Sequence, residues 1–187
     1  MNNPALEAHE HREHAEHAAH EKDPFIASVS ITIAVLAVLA AAAGSMENVE
    51  GGRAITASSE AVLLQDRATD AWNEFQADSL KRHMYEIAAD TVAAKADGYR
   101  KSASGEAGKQ KGSQALAKKD EEERDRLAAE SATHENRENW LTGATTLIEI
   151  GIALSTVAII TRRKAFWFGA MALGVVGVVL FGAAYLT

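Results

Sequence analysis

The fold is decided by residues 141–186, which read LTGATTLIEIGIALSTVAIIT (141–161), RRK (162–164) and AFWFGAMALGVVGVVLFGAAYL (165–186). Each apolar run has about 20 residues, the number that an α-helix needs to cross about 30 Å of hydrocarbon. Because only three residues separate the runs, nothing larger than a tight turn fits between them. The sequence therefore predicts an all-α membrane protein, with transmembrane helices at 141–161 and 165–187 joined by a basic turn.

A third apolar segment, FIASVSITIAVLAVLAAAAG, occupies residues 25–44. Pro24 precedes it and Gly44 ends it, which is the expected punctuation of a helix. A cleaved signal peptide is the alternative, because the alanine-rich end is similar to a cleavage region. The segment begins 24 residues into the chain, lacks a basic leader and is longer than an ordinary signal core, so an uncleaved transmembrane helix is favoured.

Composition excludes several classes of function. The chain of 187 residues carries 26 acidic and 19 basic side chains, a net charge of −7, and this argues against nucleic acid as a partner. It has no cysteine, so disulfides, thiol nucleophiles and iron–sulfur clusters are excluded. The only prolines are Pro4 and Pro24, and nothing beyond residue 25 forbids long uninterrupted helices.

Residues 45–140 predict an extramembrane antiparallel helical hairpin between the first and second membrane segments. A short polar break at 45–52 is followed by residues 54–97, which lack glycine and proline and have helix composition. Residues 98–113 (GYRKSASGEAGKQKGS) contain four glycines and three serines, which is typical of a loop and predicts the tip of the hairpin. The second arm begins at residue 114 and continues into the second membrane segment.

Apolar and small residues recur at steps of three and four along both arms and predict faces that need a partner helix or a membrane surface. On the first arm they are Leu64, Ala68, Ala71, Trp72, Phe75, Ser79, Leu80, His83, Ile87 and Thr91, and on the second Leu116, Leu127, Ala128, Ser131 and His134. The predicted interaction face is formed by Trp72, Phe75, His83 and Tyr85. The hairpin could bring His83 opposite His134, and a helix–helix contact is favoured there over a metal site.

Glu149 is the only charged residue in the three apolar segments, where an ionised carboxylate costs at least about 3 kcal/mol. We expect it to point into a bundle interior or a subunit interface. Helical spacing places it on one face with four hydroxyl side chains, Thr142, Thr145, Thr146 and Thr156. A proton or cation relay is one interpretation. A hydrogen-bonded acid that fixes helix packing is favoured, because no Lys, Arg or His lies in a span to serve as counter-ion.

Glycines recur along the third apolar segment and predict close helix packing there. They are Gly169, Gly174, Gly177 and Gly182. Three helices cannot easily provide both a partner for a buried acid and a second helix against the face formed by these glycines. We therefore infer that the chain self-associates.

The N-terminal residues 1–24 form a polar tail with five histidines, His9, His11, His14, His17 and His20. A weak zinc or nickel site is one interpretation of these imidazoles, and a solvated tail is the favoured one. The cations at 162–164 predict a cytoplasmic turn by the positive-inside rule. This orientation places the tail in the cytoplasm and both the hairpin and the C-terminus in the periplasm.

One group of residues carries a resemblance to a known family. They are the run EAVLLQ (60–65), Ala68, Asp70, Trp72, Gln76, Ala77, Ser79, Lys81, His83, Tyr85, Glu86, the run IGIALSTVAIITRR (150–163) and Trp167. They resemble the bacterial membrane proteins grouped as the domain-of-unknown-function 4337 family, over about residues 22–185. The resemblance implies one membrane helix, a helical extramembrane region and a C-terminal helical hairpin, and it implies no activity, substrate or catalytic residue.

These patterns favour a non-enzymatic scaffold or accessory subunit of the bacterial inner membrane, in contact with lipid and either self-associating or docked on a membrane complex. The first alternative is a small oligomeric proton or cation channel or transporter that uses Glu149. The second is a metal-responsive membrane sensor that uses the histidine tail.

Overall fold

The computed structural model describes residues 23–186, and nearly all of them are helical. Helix α1 spans Pro24–Thr91, α2 spans Ala96–Thr161 and α3 spans Lys164–Ala183, with a 3-10 turn at Ala93–Lys95 between the first two. The predicted all-α class is confirmed. Each of the three helices contains a stretch that is long and apolar enough to cross a membrane. The five tail histidines and the metal site predicted for them lie outside the described residues.

Helix α1 starts within one residue of the position that its sequence predicts. The Asp23 carboxylate accepts a hydrogen bond of 3.0 Å from the backbone N–H of Phe25, which would otherwise lack a partner in the first turn. Pro24 occupies the first helical position, where the absence of an N–H costs nothing. Asp23 and Pro24 together therefore account for a helix that begins at this point.

The predicted break at residues 45–52 is wrong, because α1 continues through it without interruption. A glycine weakens a helix by about 1 kcal/mol but removes no hydrogen bond, whereas a proline would do both. Gly51 is buried, and a side chain at Gly44 would come 4.0 Å from the Thr145 methyl group. A β-carbon at Gly44 would make only an ordinary van der Waals contact, and neither glycine terminates the helix.

The predicted loop at residues 98–113 is also wrong. This segment is α-helical, and the chain reverses earlier, at Val92 and the 3-10 turn Ala93–Lys95. The turn contains neither glycine nor proline, so its sequence carried no turn signal. Ala103 and Ser113 are buried inside the glycine-rich segment, and their packing against a partner helix offsets the low helix propensity of the glycines.

The described chain divides into two compact units. Residues 23–48 and 137–186 form one, which we call the apolar unit, and residues 49–136 form the other, the polar unit. Helices α1 and α2 contribute to both, whereas α3 belongs to the apolar unit alone.

In the polar unit α1 and α2 lie side by side and run antiparallel. The Ser131 hydroxyl donates to the carbonyl of Ala54 at 2.9 Å, and the Trp72 indole N–H donates to Glu121 at 2.8 Å. Further along α1, Arg82 donates to Gln110 at 3.1 Å. As the residue numbers rise along α1, the numbers of the bonded residues on α2 fall, which is the pattern of an antiparallel pair.

The seam between these two helices follows a strict seven-residue repeat. Its α1 positions alternate steps of four and three, and all of them are buried or half-buried: Glu50, Ala54, Ala57, Ala61, Leu64, Ala68, Ala71, Phe75, Asp78, Arg82, Tyr85 and Ala89. On α2 the most deeply buried members are Ala103, Ser113, Ala117 and Leu127. This period is typical of a left-handed coiled coil.

The predicted faces are therefore correct only in part. Leu64, Ala68, Ala71, Phe75, Leu127, Ser131 and His134 lie at the seam, whereas Leu80, His83, Ile87, Thr91, Leu116 and Ala128 are exposed. The predicted stripe followed the most apolar side chains and drifted away from the period of 3.5 residues that two supercoiled helices share. As a result it missed the charged seam residues Asp78 and Arg82.

In the apolar unit small residues bring three helices together. Val29, Leu36 and Ala43 recur every seven residues on the α1 side and are buried. The buried positions of α2 in this unit are Leu141, Ala144, Ile148, Gly151, Ser155 and Ala158, and those of α3 are Ala170, Gly174 and Gly177, followed by Ala184 just beyond the end of the helix. Alanine and glycine at these positions allow the backbones to approach closely.

We expect the combined substitution of Gly105, Gly108 and Gly112 by alanine to stabilise α2. A β-carbon at each position would meet no other atom within 4 Å, so only the gain in helix propensity remains. That gain is about 1 kcal/mol per residue and corresponds to roughly fivefold slower local opening for each glycine replaced.

Amide hydrogen exchange checks this expectation. Protection should rise across residues 98–113, while exchange of residues 54–75 on the facing helix serves as the internal control. Equal exchange in the two proteins would mean that residues 98–113 do not form the helix described.

Candidate functional site

Glu149 lies on the outer face of α2 within the apolar unit. Its side chain is exposed, and it makes no hydrogen bond or ion pair with any residue in the range 23–186. The expectation that it points into the interior of the bundle is therefore wrong for the three helices of one chain. The same prediction named a subunit interface as the other position for Glu149, and that part stays a prediction.

A continuous stripe of exposed residues surrounds Glu149 on α2. We call it the Glu149 stripe, and its members alternate steps of four and three: Thr142, Thr146, Glu149, Ala153, Thr156 and Ile160. Such spacing keeps the residues on one side of a helix that packs along another helix. Apart from Ile160 and Glu149 the side chains are small, so a second backbone can approach closely.

The threonine hydroxyls of the stripe already donate hydrogen bonds within the chain. Thr146 donates to the carbonyl of Thr142 at 2.8 Å, and Thr156 donates to that of Ile152 at 3.2 Å. The Thr142 hydroxyl lies within hydrogen-bond distance of Glu47 at 2.8 Å and of the Glu138 carbonyl at 3.0 Å. The stripe therefore offers methyl groups and acceptor oxygens, and its only further donor is Glu149 in the protonated form.

Thr145 does not belong to the stripe, contrary to the sequence-based grouping. One residue of offset rotates a side chain by about 100° around a helix, and Thr145 is turned toward α1, where its buried hydroxyl oxygen has no partner among the described residues. Ser155 was not singled out by its sequence, yet it is fully buried and its hydroxyl oxygen likewise lacks a described partner. Its place in the inner seven-residue repeat of α2 could have identified it.

Two of the four predicted packing glycines contact other helices. A β-carbon on Gly174 would come within 2.5 Å of Leu36, and one on Gly177 within 2.6 Å of Ile148 and 3.0 Å of the Ala144 carbonyl oxygen. Gly169 and Gly182 have open space instead. Gly151 on α2, which the sequence reading did not select, would meet the Ala170 carbonyl oxygen at 3.1 Å and is therefore a third packing glycine.

The predicted interaction face of the polar unit is mostly internal. Trp72 packs edge-on against Phe75 with ring centroids 5.4 Å apart, and Tyr85 stacks on Tyr99 at 6.3 Å. These three predicted aromatic residues therefore hold α1 against α2 and do not present a free surface. His83 is exposed and lies 3.0 Å from Glu86 on its own helix, so it is not brought opposite His134. The earlier turn shifts the register and separates the two histidines.

Glu50 is one of two deeply buried acids of the polar unit, the other being Asp78, and it is 2% exposed. One of its oxygens lies 2.5 Å from His134 on α2, and the other accepts a hydrogen bond of 3.1 Å from Arg53. Both carboxylate oxygens are therefore satisfied at a point where desolvation is severe. Glu50, His134 and Arg53 form a polar cluster that bonds α1 to α2 across the seam, and we call it the Glu50 clamp. The sequence pattern predicted only His134 of this cluster at the seam.

Two exposed cations on the surface of the polar unit are held in the charged form by neighbouring acids. Hydrogen bonding and charge attraction from Glu106 raise the pKa of Lys109, and those from Glu123 raise the pKa of Arg126. Among residues 23–186 no group of three or more histidine, aspartate and glutamate side chains is arranged to hold a metal ion.

We expect Glu50→Ala to destabilise the protein by about 3–5 kcal/mol, because it leaves His134, whose side chain is largely buried, without its carboxylate partner. Thermal unfolding followed by circular dichroism in detergent measures the change. The matched control is Glu86→Ala, which removes an exposed carboxylate from a similar pairing with His83 and should cost less than about 1 kcal/mol. Equal losses in the two variants would contradict the assignment of Glu50 as a clamp.

Comparison with known proteins supplies a family. The family described as Domain of unknown function (DUF4337) matches residues 25–187, which include α2, α3 and all of α1 except Pro24. The search of curated proteins and the search of solved structures each find no match. Since the matched region covers most of the sequence, the chain belongs to the DUF4337 family.

Proposed function

We propose that this protein is a non-enzymatic scaffold or accessory subunit of the bacterial inner membrane that self-associates through the Glu149 stripe. The observation that carries the proposal is the outward-facing carboxyl group of Glu149 on an apolar helix. A lone chain in lipid would expose this group to hydrocarbon, which costs at least about 3 kcal/mol if it is ionised.

Membrane insertion is supported by the surface of the apolar unit. All three helices have windows long and apolar enough to span a bilayer, and their outer faces carry large apolar side chains, among them Val38, Ile160 and Val179. In water such a surface would drive aggregation. In lipid it is the expected exterior.

The orientation follows from the charges of the turn between α2 and α3. Residues 162–164 are three cations with no acid, so the turn lies in the cytoplasm by the positive-inside rule. The polar unit, residues 49–136, is then periplasmic and forms an extramembrane helical hairpin. In this position its exposed apolar residues Leu80, Met84 and Ile87 are available to a protein partner.

A second copy of the chain is the simplest partner that covers the Glu149 stripe and accepts a hydrogen bond from Glu149. In a parallel pair related by a two-fold axis, each Glu149 meets the stripe of the other copy at the same depth. The threonines offer only acceptors, so a protonated Glu149 donates to a threonine or glutamate oxygen across the interface. The small residues Thr146 and Ala153 permit the close approach that such hydrogen bonds require.

Cysteine cross-linking tests this interface, because the natural chain contains no cysteine. We expect Thr146→Cys to form disulfide-linked dimers in membranes under mild oxidation. The matched control is Val176→Cys, which is exposed on α3 next to Gly177 and therefore lies close in depth to the Ala144 and Ile148 region of α2. It should give few dimers.

Substitutions of Glu149 in the Thr146→Cys protein then distinguish the contribution of hydrogen bonding to dimerisation from that of side-chain packing. Glu149→Gln keeps a donor and should retain most of the cross-linking. Glu149→Leu removes both hydrogen bonds of the symmetric pair and should reduce dimerisation about tenfold or more, since each hydrogen bond between membrane helices contributes roughly a factor of three to thirty. Equal cross-linking of Thr146→Cys and Val176→Cys would refute self-association through this stripe.

A small oligomeric proton or cation channel is the second candidate. It is favoured by the threonine oxygens that flank Glu149, which in a ring of subunits would line a polar path through the bilayer. Under this alternative, proton flux into vesicles that contain the wild-type protein is lost in Glu149→Gln even though cross-linking at Thr146→Cys persists. Equal and background-level flux in both proteins excludes the channel and leaves the scaffold.

A further inference from the structure

An apolar groove runs along the surface of the apolar unit between α1 and α3. It has a volume of about 450 Å³, and its walls include Thr32, Val35, Leu39, Trp167, Val175 and Val179. Gly174 forms part of the floor, where the absence of a side chain allows Leu36 to approach α3 closely. No residue of the Glu149 stripe lines this groove, so the two surfaces are separate.

The length of the groove matches one leaflet of a bilayer. Its walls on α3 extend from Trp167 to Val179, and twelve residues of α-helix rise about 18 Å. Half of a hydrocarbon core of about 30 Å is about 15 Å. A single acyl chain that enters beside Trp167 therefore fills the groove and ends near the middle of the membrane.

The Trp167 end of the groove is firmly built. The indole N–H donates to the Thr32 hydroxyl at 3.0 Å, and the ring packs edge-on against Phe25 with centroids 6.0 Å apart. Tryptophan favours the boundary between headgroups and hydrocarbon. This end therefore lies at the level of the lipid headgroups.

Three cations stand immediately beyond this end. Arg162, Arg163 and Lys164 are exposed, and within residues 23–186 none of them has a carboxylate partner. Lys164 precedes Trp167 by three residues, which is less than one helical turn, or about 4.5 Å of rise. The mouth of the apolar groove is therefore strongly positive.

The backbone of Arg162 strengthens the case for a charged ligand. Arg162 has a φ of 54°, in the left-handed region where a β-carbon carries an energetic cost that glycine would avoid. A glycine would make the same turn more easily but would remove one of the three cations. Strain held at a charged surface position is typical of a residue with a binding role.

We propose that this groove is a binding site for an anionic phospholipid, with one acyl chain between α1 and α3 and the phosphate held by Arg162, Arg163 and Lys164. Charge complementarity selects an acidic over a zwitterionic headgroup. Guanidinium groups bind phosphate oxygens in pairs, which fixes the headgroup at the turn. The inference rests on the membrane insertion proposed above, but it does not depend on self-association.

Native mass spectrometry of the full-length protein tests the site. The detergent-solubilised protein is given equal amounts of phosphatidylglycerol and phosphatidylcholine with identical acyl chains. We expect phosphatidylglycerol to be retained about fivefold or more over phosphatidylcholine, because each cation near an anionic lipid contributes about that factor. The triple variant Arg162→Gln, Arg163→Gln, Lys164→Gln should bind the two lipids equally.

A second pair of variants tests the groove itself. Val175 lines the groove and is 64% exposed, so Val175→Trp fills the space without disturbing the core and should lower retention of both lipids. Val176→Trp is the matched control, since Val176 is exposed on the same helix but does not line the groove. It should bind lipid as the wild type does.

Several outcomes would overturn the inference. Equal retention of the two lipids by the wild type removes the headgroup site, and unchanged retention in Val175→Trp removes the acyl-chain site. Displacement of the lipid by glycerol phosphate alone would show that the chain in the groove contributes nothing. Disulfide-linked dimers of Val175→Cys would assign the groove to a second copy of the chain.

Membrane fractionation separates a failure of this inference from a failure of the proposed function. If the wild type sediments with membranes but retains both lipids equally, only the lipid site is wrong. If the wild type stays in solution after membranes are pelleted, the proposed membrane scaffold is wrong and the lipid site falls with it.

Discussion

Close approach of helix backbones is the constraint on which both units depend. In the polar unit alanine occupies half of the α1 seam positions, and in the apolar unit the approach requires glycine at Gly151, Gly174 and Gly177. Such residues bury little apolar area, so burial contributes less here than in a leucine-rich seam. Directional contacts compensate in the polar unit, where the Glu50 carboxylate and the Trp72 indole each bond across the seam. A larger side chain at the seam would separate the helices and break these bonds together.

The same constraint bears on Glu149, the one acid of the three apolar segments, which faces outward. The inner faces of α2 are occupied by Ala144, Ile148, Gly151 and Ser155, at spacings that leave no room for a longer polar side chain. Glu149 directly follows the buried Ile148, and one residue of offset turns its side chain by about 100° around the helix, away from this interior. Under the membrane insertion and self-association proposed above, a partner that covers the Glu149 stripe would remove its carboxyl group from hydrocarbon, which solvates that group poorly.

Several features of the fold could be predicted from local patterns. The three apolar segments were recognisable because the thickness of a bilayer demands about 20 apolar residues in a row. The helix start at Pro24 was recognisable from its punctuation, whereas the turn near Val92 was not, since it contains no glycine or proline. The glycine-rich residues 98–113 predicted a loop because glycine propensity is a local property. The burial of Ala103 and Ser113 against a partner helix overrides that propensity.

Sequence by itself determined the helical class, the three apolar segments and the presence of a single acid among them, because length, hydropathy and charge are properties of the chain alone. Tertiary structure decided the register of the helix pair, and with it the separation of His83 from His134 and the pairing of His134 with Glu50. It also decided that Glu149 faces outward while Thr145, one turn away, faces in. The physical reason is that a helical repeat defines faces but not partners. Which face is buried depends on how closely residues distant in the sequence can pack against it.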